Sequence, residues 1–146
     1  MKLSDHFTLA EMTHSDYAVR TGTPNKPGTA ELANLFRLAQ TLERVRIAVG
    51  KPLIINSAYR SPSVNSAIGG AHNSQHMRGL AADVKVLGMT PYEVCQRVIR
   101  AGIEYDQLIL EFGSWTHISV PEVTSPARGD QLTYRAGKPV ERGIVA

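Results

Sequence analysis

The stretch from Thr29 to Val49 constrains this chain most, because Leu32, Leu35, Phe36, Ala39, Leu42, Val45 and Val49 recur there at steps of three and four. That period puts them on one face of a helix, so the fold must include a long amphipathic helix lying on a core. Thr29 is expected to cap it, Glu31 falls in the first turn, and Gly50 followed by Pro52 supplies the stop. A chain of 146 residues can bury one real core and needs no second, so a single domain over residues 1–146 is expected.

After that helix, Leu53-Ile54-Ile55 reads as a short buried strand. It delivers the chain to Ser57-Ala58-Tyr59-Arg60-Ser61-Pro62, where Pro62 enforces a turn and leaves Arg60 just past the strand end. From Ser61 to Gly79 the sequence is rich in Ser, Asn and Gly without a period, which reads as a long loop, and loops of that length in a small domain are usually functional. Leu80 to Leu87 then alternates as a half-buried strand does, with Ala81, Asp83 and Lys85 against Ala82, Val84 and Val86. Thr90-Pro91-Tyr92-Glu93 combines an N-cap, a proline at the first helical position and a capping-box glutamate, opening a helix that stops at Gly102. Asp106–Phe112 and Trp115–Val120 flank Gly113-Ser114 and read as an antiparallel hairpin. The tail beyond Pro121 shows little pattern apart from one more strand around Leu132–Tyr134. The expected class is α+β, with helices packed on one side of a small, mainly antiparallel sheet.

Several function classes drop out early. No run approaches the roughly 18 apolar residues of a membrane span, so no transmembrane segment is expected. Met1 to Phe7 lacks the basic and apolar regions of a secretory signal, so no signal peptide is expected. Sixteen basic and thirteen acidic residues give a net charge of +3, but they are scattered and accompany no nucleic-acid motif, so nucleic acid is not an expected partner. Cys95, the lone cysteine, sits in the helical pattern beside Val94 and Val98 and reads as a small buried hydrophobe rather than a nucleophile.

The chemistry concentrates in Ser74-Gln75-His76-Met77-Arg78-Gly79-Leu80-Ala81-Ala82-Asp83. It places an imidazole in a loop and a carboxylate on the following strand, with a glycine between them where the chain turns back. Trp115-Thr116-His117-Ile118-Ser119 offers a second histidine, on a strand whose neighbours Ile118 and Val120 should face the core. Three N/O ligands with an open fourth position make a catalytic rather than a structural zinc site. On residue types alone the alternative stays open, since histidines and aspartates often sit on surfaces or in satisfied cores.

The segment from Ser74 to Asp83 matches every fixed position of Ser-x-His-x-x-Gly-x-Ala-x-Asp, and so resembles the zinc-ligand motif of the D-alanyl-D-alanine carboxypeptidase-like metallopeptidases. That group includes phage endolysins and shares its fold with hedgehog signalling domains. Leu3-Ser4-x-His6-Phe7, Ser57–Pro62, Asn65, Gly69-Gly70 and Trp115-x-His117 extend the resemblance in order along the chain to about Pro121. It implies a hedgehog/DD-peptidase-like fold, one zinc per chain held by His76, Asp83 and His117, and an Arg60 that contacts a substrate carbonyl or carboxylate. The partner it implies is a stem or cross-bridge peptide of bacterial peptidoglycan, cut by a carboxypeptidase or endopeptidase, such as a phage or prophage endolysin. A monomer made in the cytoplasm and reaching the wall by release or another export route is expected.

One departure concerns the general base. Many relatives carry an acidic residue three positions before the last histidine ligand; here that position is Ser114, which cannot serve as a base at neutral pH. Glu111, six positions before His117, is the nearest carboxylate, and hedgehog-type domains resemble this chain in that spacing. A two-residue turn at Gly113-Ser114 would pair Glu111 with Thr116 on the face opposite His117, whereas a three-residue connection or bulge would put Glu111 across from His117. Otherwise Glu111 is a solvated strand residue. His6 and His14 read as structural or surface residues, His72 as a possible cleft neighbour, Ser74 and Gln75 as orienting the His76 loop, and Trp115 as either cleft wall or core. The alternative to an enzyme is a non-catalytic zinc-containing binding or virion-structural module of the same fold.

Overall fold

The long helix, here α3, spans Thr29–Val49 and buries Leu35, Leu38, Leu42, Val45 and Val49, while Phe36 stays partly exposed. Its N-cap is Gly28 rather than Thr29; Gly28 has no side chain to cap with, and the Glu31 carboxylate instead accepts the Gly28 N–H at 3.1 Å. The computed structural model describes residues 1–146. Two short helices precede α3, α1 (Leu9–Met12) and α2 (Asp16–Thr21), and no periodicity announces either. Caps define them instead: Thr8 and Glu11 form a reciprocal box on α1, and the Ser15 hydroxyl accepts the Ala18 N–H on α2.

Beyond α3 come β1 (Ile54–Ser57), α4 (Pro62–Ala67), a 3-10 turn (Gln75–Arg78), β2 (Ala81–Lys85), α5 (Pro91–Arg100), β3 (Gln107–Glu111), β4 (Trp115–Ser119), β5 (Asp130–Tyr134) and β6 (Glu141–Arg142). The long loop expected from Ser61 to Gly79 is therefore punctuated by a helix and a turn, each opened by a serine cap, Ser61 and Ser74. The helix at Thr90 forms as its capping box requires.

The six strands lie in the order β1-β2-β4-β3-β5-β6. All neighbours are antiparallel except β3 and β5, so the expected mainly antiparallel sheet is what the chain builds, with α3 and α5 packed on its core face while α2 lies near the other. β1 takes an edge and leaves Ile54 partly exposed, unlike the buried strand its apolar run suggests. β2 is central and buried along Ala81–Val84, not half-buried. Ala82, Val84, Leu108, Leu110 and Ile118 point into one core with residues of α3 and α5. Because side chains alternate across a sheet, the odd-numbered residues of β2, β3 and β4 face the other way. Asp83 pairs with His117, and His117 with Ile109, so a row of site residues crosses the sheet on the side away from the helices.

Candidate metal centre and active site

Three ligand atoms, one each from His76, Asp83 and His117, lie within 4.8 Å of one another, and all three residues are buried. His76 Nε2 stands 3.4 Å from Asp83 Oδ2, and His117 Nδ1 stands 3.0 Å from Asp83 Oδ1. His76 Nδ1 is 2.7 Å from the Ala58 carbonyl oxygen, which can only accept. Nδ1 therefore carries the proton, and Nε2 presents a lone pair to the cluster, the second partner fixing the tautomer as metal-binding histidines require. Burial pushes the His76 imidazole below its ordinary value, towards the neutral form that ligates. Burial pushes the Asp83 carboxyl up, but the neighbouring His117 and His76 imidazoles outweigh it and hold Asp83 ionised. Two imidazoles and a carboxylate, buried and converging on one point, fit zinc with an open fourth position.

The backbone reasons are local. Ser74 accepts the His76 N–H and starts the 3-10 turn, and Gly79 ends it at φ 72°, in the left-handed region. A Cβ at Gly79 would also stand 2.5 Å from the Glu31 carbonyl oxygen of α3. The motif's glycine is thus needed both for the reversal that returns the chain along β2 and for close packing on the long helix.

Arg60 and Glu111 reach the same place. Arg60 is tied down through each of its three nitrogens: Nε to Ser57 Oγ at 3.0 Å, Nη1 to Asn65 Oδ1 at 3.1 Å and Nη2 to Asp83 Oδ2 at 3.4 Å. Its guanidinium is therefore pre-oriented beside the ligands rather than swinging free. At the hairpin, Phe112, Gly113 and Ser114 form a three-residue connection in which Phe112 and Gly113 both have positive φ, 56° and 61°. That connection pairs Glu111 with Trp115 and Ile109 with His117. Glu111 therefore stands on the His117 face, diagonal to it rather than directly across. Its Oε1 lies 3.7 Å from His117 Nδ1, and its Oε2 accepts the Trp115 indole N–H at 2.9 Å. Burial, with the Asp83 carboxylate nearby, raises Glu111 above the usual carboxylate range against the pull of His117, Trp115 and Arg60.

All five residues line one cleft of about 530 Å³, and Trp115 is part of its wall. Past Arg60, Asp83 and Trp115 the cleft continues into a second hollow of about 300 Å³ bordered by α2 residues. His14 sits exposed at the edge of that hollow, hydrogen-bonded to Asp16. His6 is engaged with Glu43, and His72 is exposed and not among the residues lining the cleft. Cys95 is buried, as its neighbours implied. Sequence reasoning missed Tyr134, Arg128, Gln107 and Phe112, which also line the cleft. Tyr134 could have been found from the strand at Leu132–Tyr134, but only by knowing that β5 pairs with β3 and sets Tyr134 beside Glu111.

The sequence model for peptidase M15 matches residues 5–119, a span that contains all five of these residues. The chain belongs to the peptidase M15 family. Over 82 residues it is 40% identical to the zinc D-Ala-D-Ala carboxypeptidase of Streptomyces albus G. That stretch is 54% of this chain but 31% of the relative, so the M15 chain described here spans about a third of that protein's length. No helix of this M15 domain is long and apolar enough to cross a membrane.

Proposed function

We propose that this M15 chain is a zinc peptidase that hydrolyses a peptide bond in bacterial peptidoglycan, with His76, Asp83 and His117 holding the metal. The observation that carries the reading is the position of Glu111, a carboxylate 3.7 Å from a ligand histidine in the cleft that holds the three-ligand cluster. Bound zinc supplies a Lewis acid for the scissile carbonyl and lowers the pKa of water towards about 7. The protein's own groups then have distinct tasks. Glu111, raised by burial and steadied by the Trp115 N–H, takes a proton from the attacking water and returns it to the leaving amine. Arg60, held by Ser57 and Asn65, presents positive charge to the oxyanion that develops on the carbonyl. The Streptomyces relative's name supports the substrate class, and an open cleft on both sides of the cluster leaves room for carboxypeptidase or endopeptidase action, including that of a phage endolysin.

Replacing Glu111 with Gln tests this, because it keeps size and the bond to Trp115 while removing the basic oxygen. Zinc content and melting temperature should stay near those of the parent, while release of peptides from purified sacculi should fall about 10²- to 10⁴-fold. Near-parental hydrolysis would remove Glu111 from the mechanism. A parent inactive on every wall type would turn the reading towards a binding module.

A further inference from the structure

Arg128 lies beyond the residues matched by the family, yet it lines the same cleft as the ligand cluster. Its side chain is 57% exposed, but one edge of the guanidinium is fixed: Nε and Nη2 donate to the Asp106 carboxylate at 3.1 and 2.7 Å. Asp106 is itself buried, and it also accepts the Arg128 backbone N–H and the Gln75 amide at 3.0 Å each. Gln75 adjoins His76, lines the cleft, and has a buried amide oxygen with no partner in the protein. A buried carboxylate thus holds an arginine as a rigid donor fork whose other edge is unspent, the arrangement suited to bidentate capture of an oxyanion.

The offset of its Asp106 anchor from the reaction centre follows from register. His117 pairs with Ile109, and Asp106 lies three residues back along the same chain, roughly 10 Å at about 3.3 Å per extended residue. A peptide lying extended in the cleft would therefore meet Arg128 two to three residues from the bond held at the metal.

We infer that Arg128 is a specificity-determining residue that binds a free carboxylate borne on the substrate peptide two to three residues from the scissile bond. In a peptidoglycan stem this is the α-carboxylate of the γ-linked D-glutamate, for cleavage after the penultimate D-alanine. The inference rests on the peptidase reading above.

The test uses two synthetic stem pentapeptides, L-Ala-γ-D-Glu-L-Lys-D-Ala-D-Ala and its counterpart with the D-Glu α-carboxylate amidated. Cleavage is followed on the zinc-loaded parent and binding on the zinc-loaded Glu111→Gln variant. The free acid should be preferred about 10- to 100-fold, chiefly through KM and Kd, as for a charge-assisted pair. That preference should vanish in Arg128→Gln combined with Asp106→Asn, which removes the buried charge together with its partner. Zinc content should stay near that of the parent, and hydrolysis of the amidated peptide should fall less than that of the free acid. Equal cleavage and binding of both peptides by the unaltered Arg128 chain would overturn the inference while leaving the peptidase intact. A double variant that loses both peptides equally would also overturn it, by showing a structural role. Cleavage of neither peptide would count against hydrolysis of this bond, and the two Kd values would still decide the role of Arg128.

Discussion

Replacing Gly79 by Ala should destabilise this protein far more than the gain of one methyl group suggests, and the structure separates the causes. At φ 72° a Cβ costs about 1–2 kcal/mol in the left-handed region. The same Cβ would stand 2.5 Å from the Glu31 carbonyl oxygen and 3.2 Å from Leu35 Cγ. Backbone on one side and a buried leucine on the other leave little to give, so overpacking adds about 1–3 kcal/mol. The sum of about 2–5 kcal/mol corresponds to a melting point lower by about 8–20 °C, at about 4 °C per kcal/mol for a chain of this size. Gly102 is the internal control, since its φ is 68° but a Cβ there meets nothing within 4 Å. Gly102→Ala should lose about 4–8 °C, from the left-handed cost alone. Any gain from a stiffer unfolded chain is common to both variants and cancels in the comparison. The assay is thermal unfolding followed by circular dichroism with a chelator present, so that metal binding does not mask the protein's own stability. Equal shifts in the two variants would refute the packing argument and leave Gly79 with a conformational role only.

Three further outcomes follow from the site and its supports. His76→Ala, Asp83→Ala and His117→Ala should each bind zinc more than about 100-fold more weakly, beyond the scale of losing a supporting hydrogen bond, and full occupancy in all three would remove the assignment. Arg60→Lys should keep zinc but lower turnover by up to about 100-fold, the scale of one lost oxyanion donor; unchanged turnover would place Arg60 outside the reaction. Although burial raises the Glu43 carboxyl, hydrogen bonds from Ser4 and from the ring and amide of His6 hold it below its ordinary value. Its contribution is therefore present above about pH 4.5 and is lost as pH falls through the lower folded value. Urea titrations should show Glu43→Gln less stable than the parent at pH 7, with the gap closing towards pH 3; a gap that persists in acid would contradict the assignment.

What was legible in the chain was whatever local chemistry settles. The period of Leu35, Leu42 and Val49 and the box at Thr90 and Glu93 each satisfy backbone or bury surface within a few residues, so α3 and α5 announced themselves. The candidate ligand cluster was legible by resemblance, and the sheet register brings two of its members together, because Asp83 and His117 are directly paired. The short helices were not legible, since α1, α2 and α4 are too brief to show a period and depend on single caps at Thr8, Ser15 and Ser61. A strand around Leu132–Tyr134 was legible, but the parallel pairing of β5 with β3 was not, because it joins segments more than twenty residues apart by contacts that no local pattern encodes. Arg128 and Tyr134 remained hidden for that reason: their place in the cleft depends on the docking of a tail whose own sequence has little pattern.

The hairpin shows why the absence of an acidic residue at position 114 need not cost the site its base. A two-residue turn would reverse the facing of every residue before it, sending Glu111 to the helix side of the sheet, where a carboxylate would meet Ile118 and the core side chains of α3 and α5. The three-residue connection restores the alternation, and it does so through two consecutive residues with positive φ. Gly113 adopts that conformation freely; Phe112 does not, and it stands 48% exposed with its ring against Trp115 and Tyr134. A bulky residue held in the left-handed region is retained only where its surroundings over-determine it. Here those surroundings are the aromatic rings at the lip of the cleft, one of which, Trp115, also donates to Glu111. The turn that strains Phe112 is thus the same element that sets the facing of Glu111, and position 111 on the strand can supply what position 114 in the turn lacks.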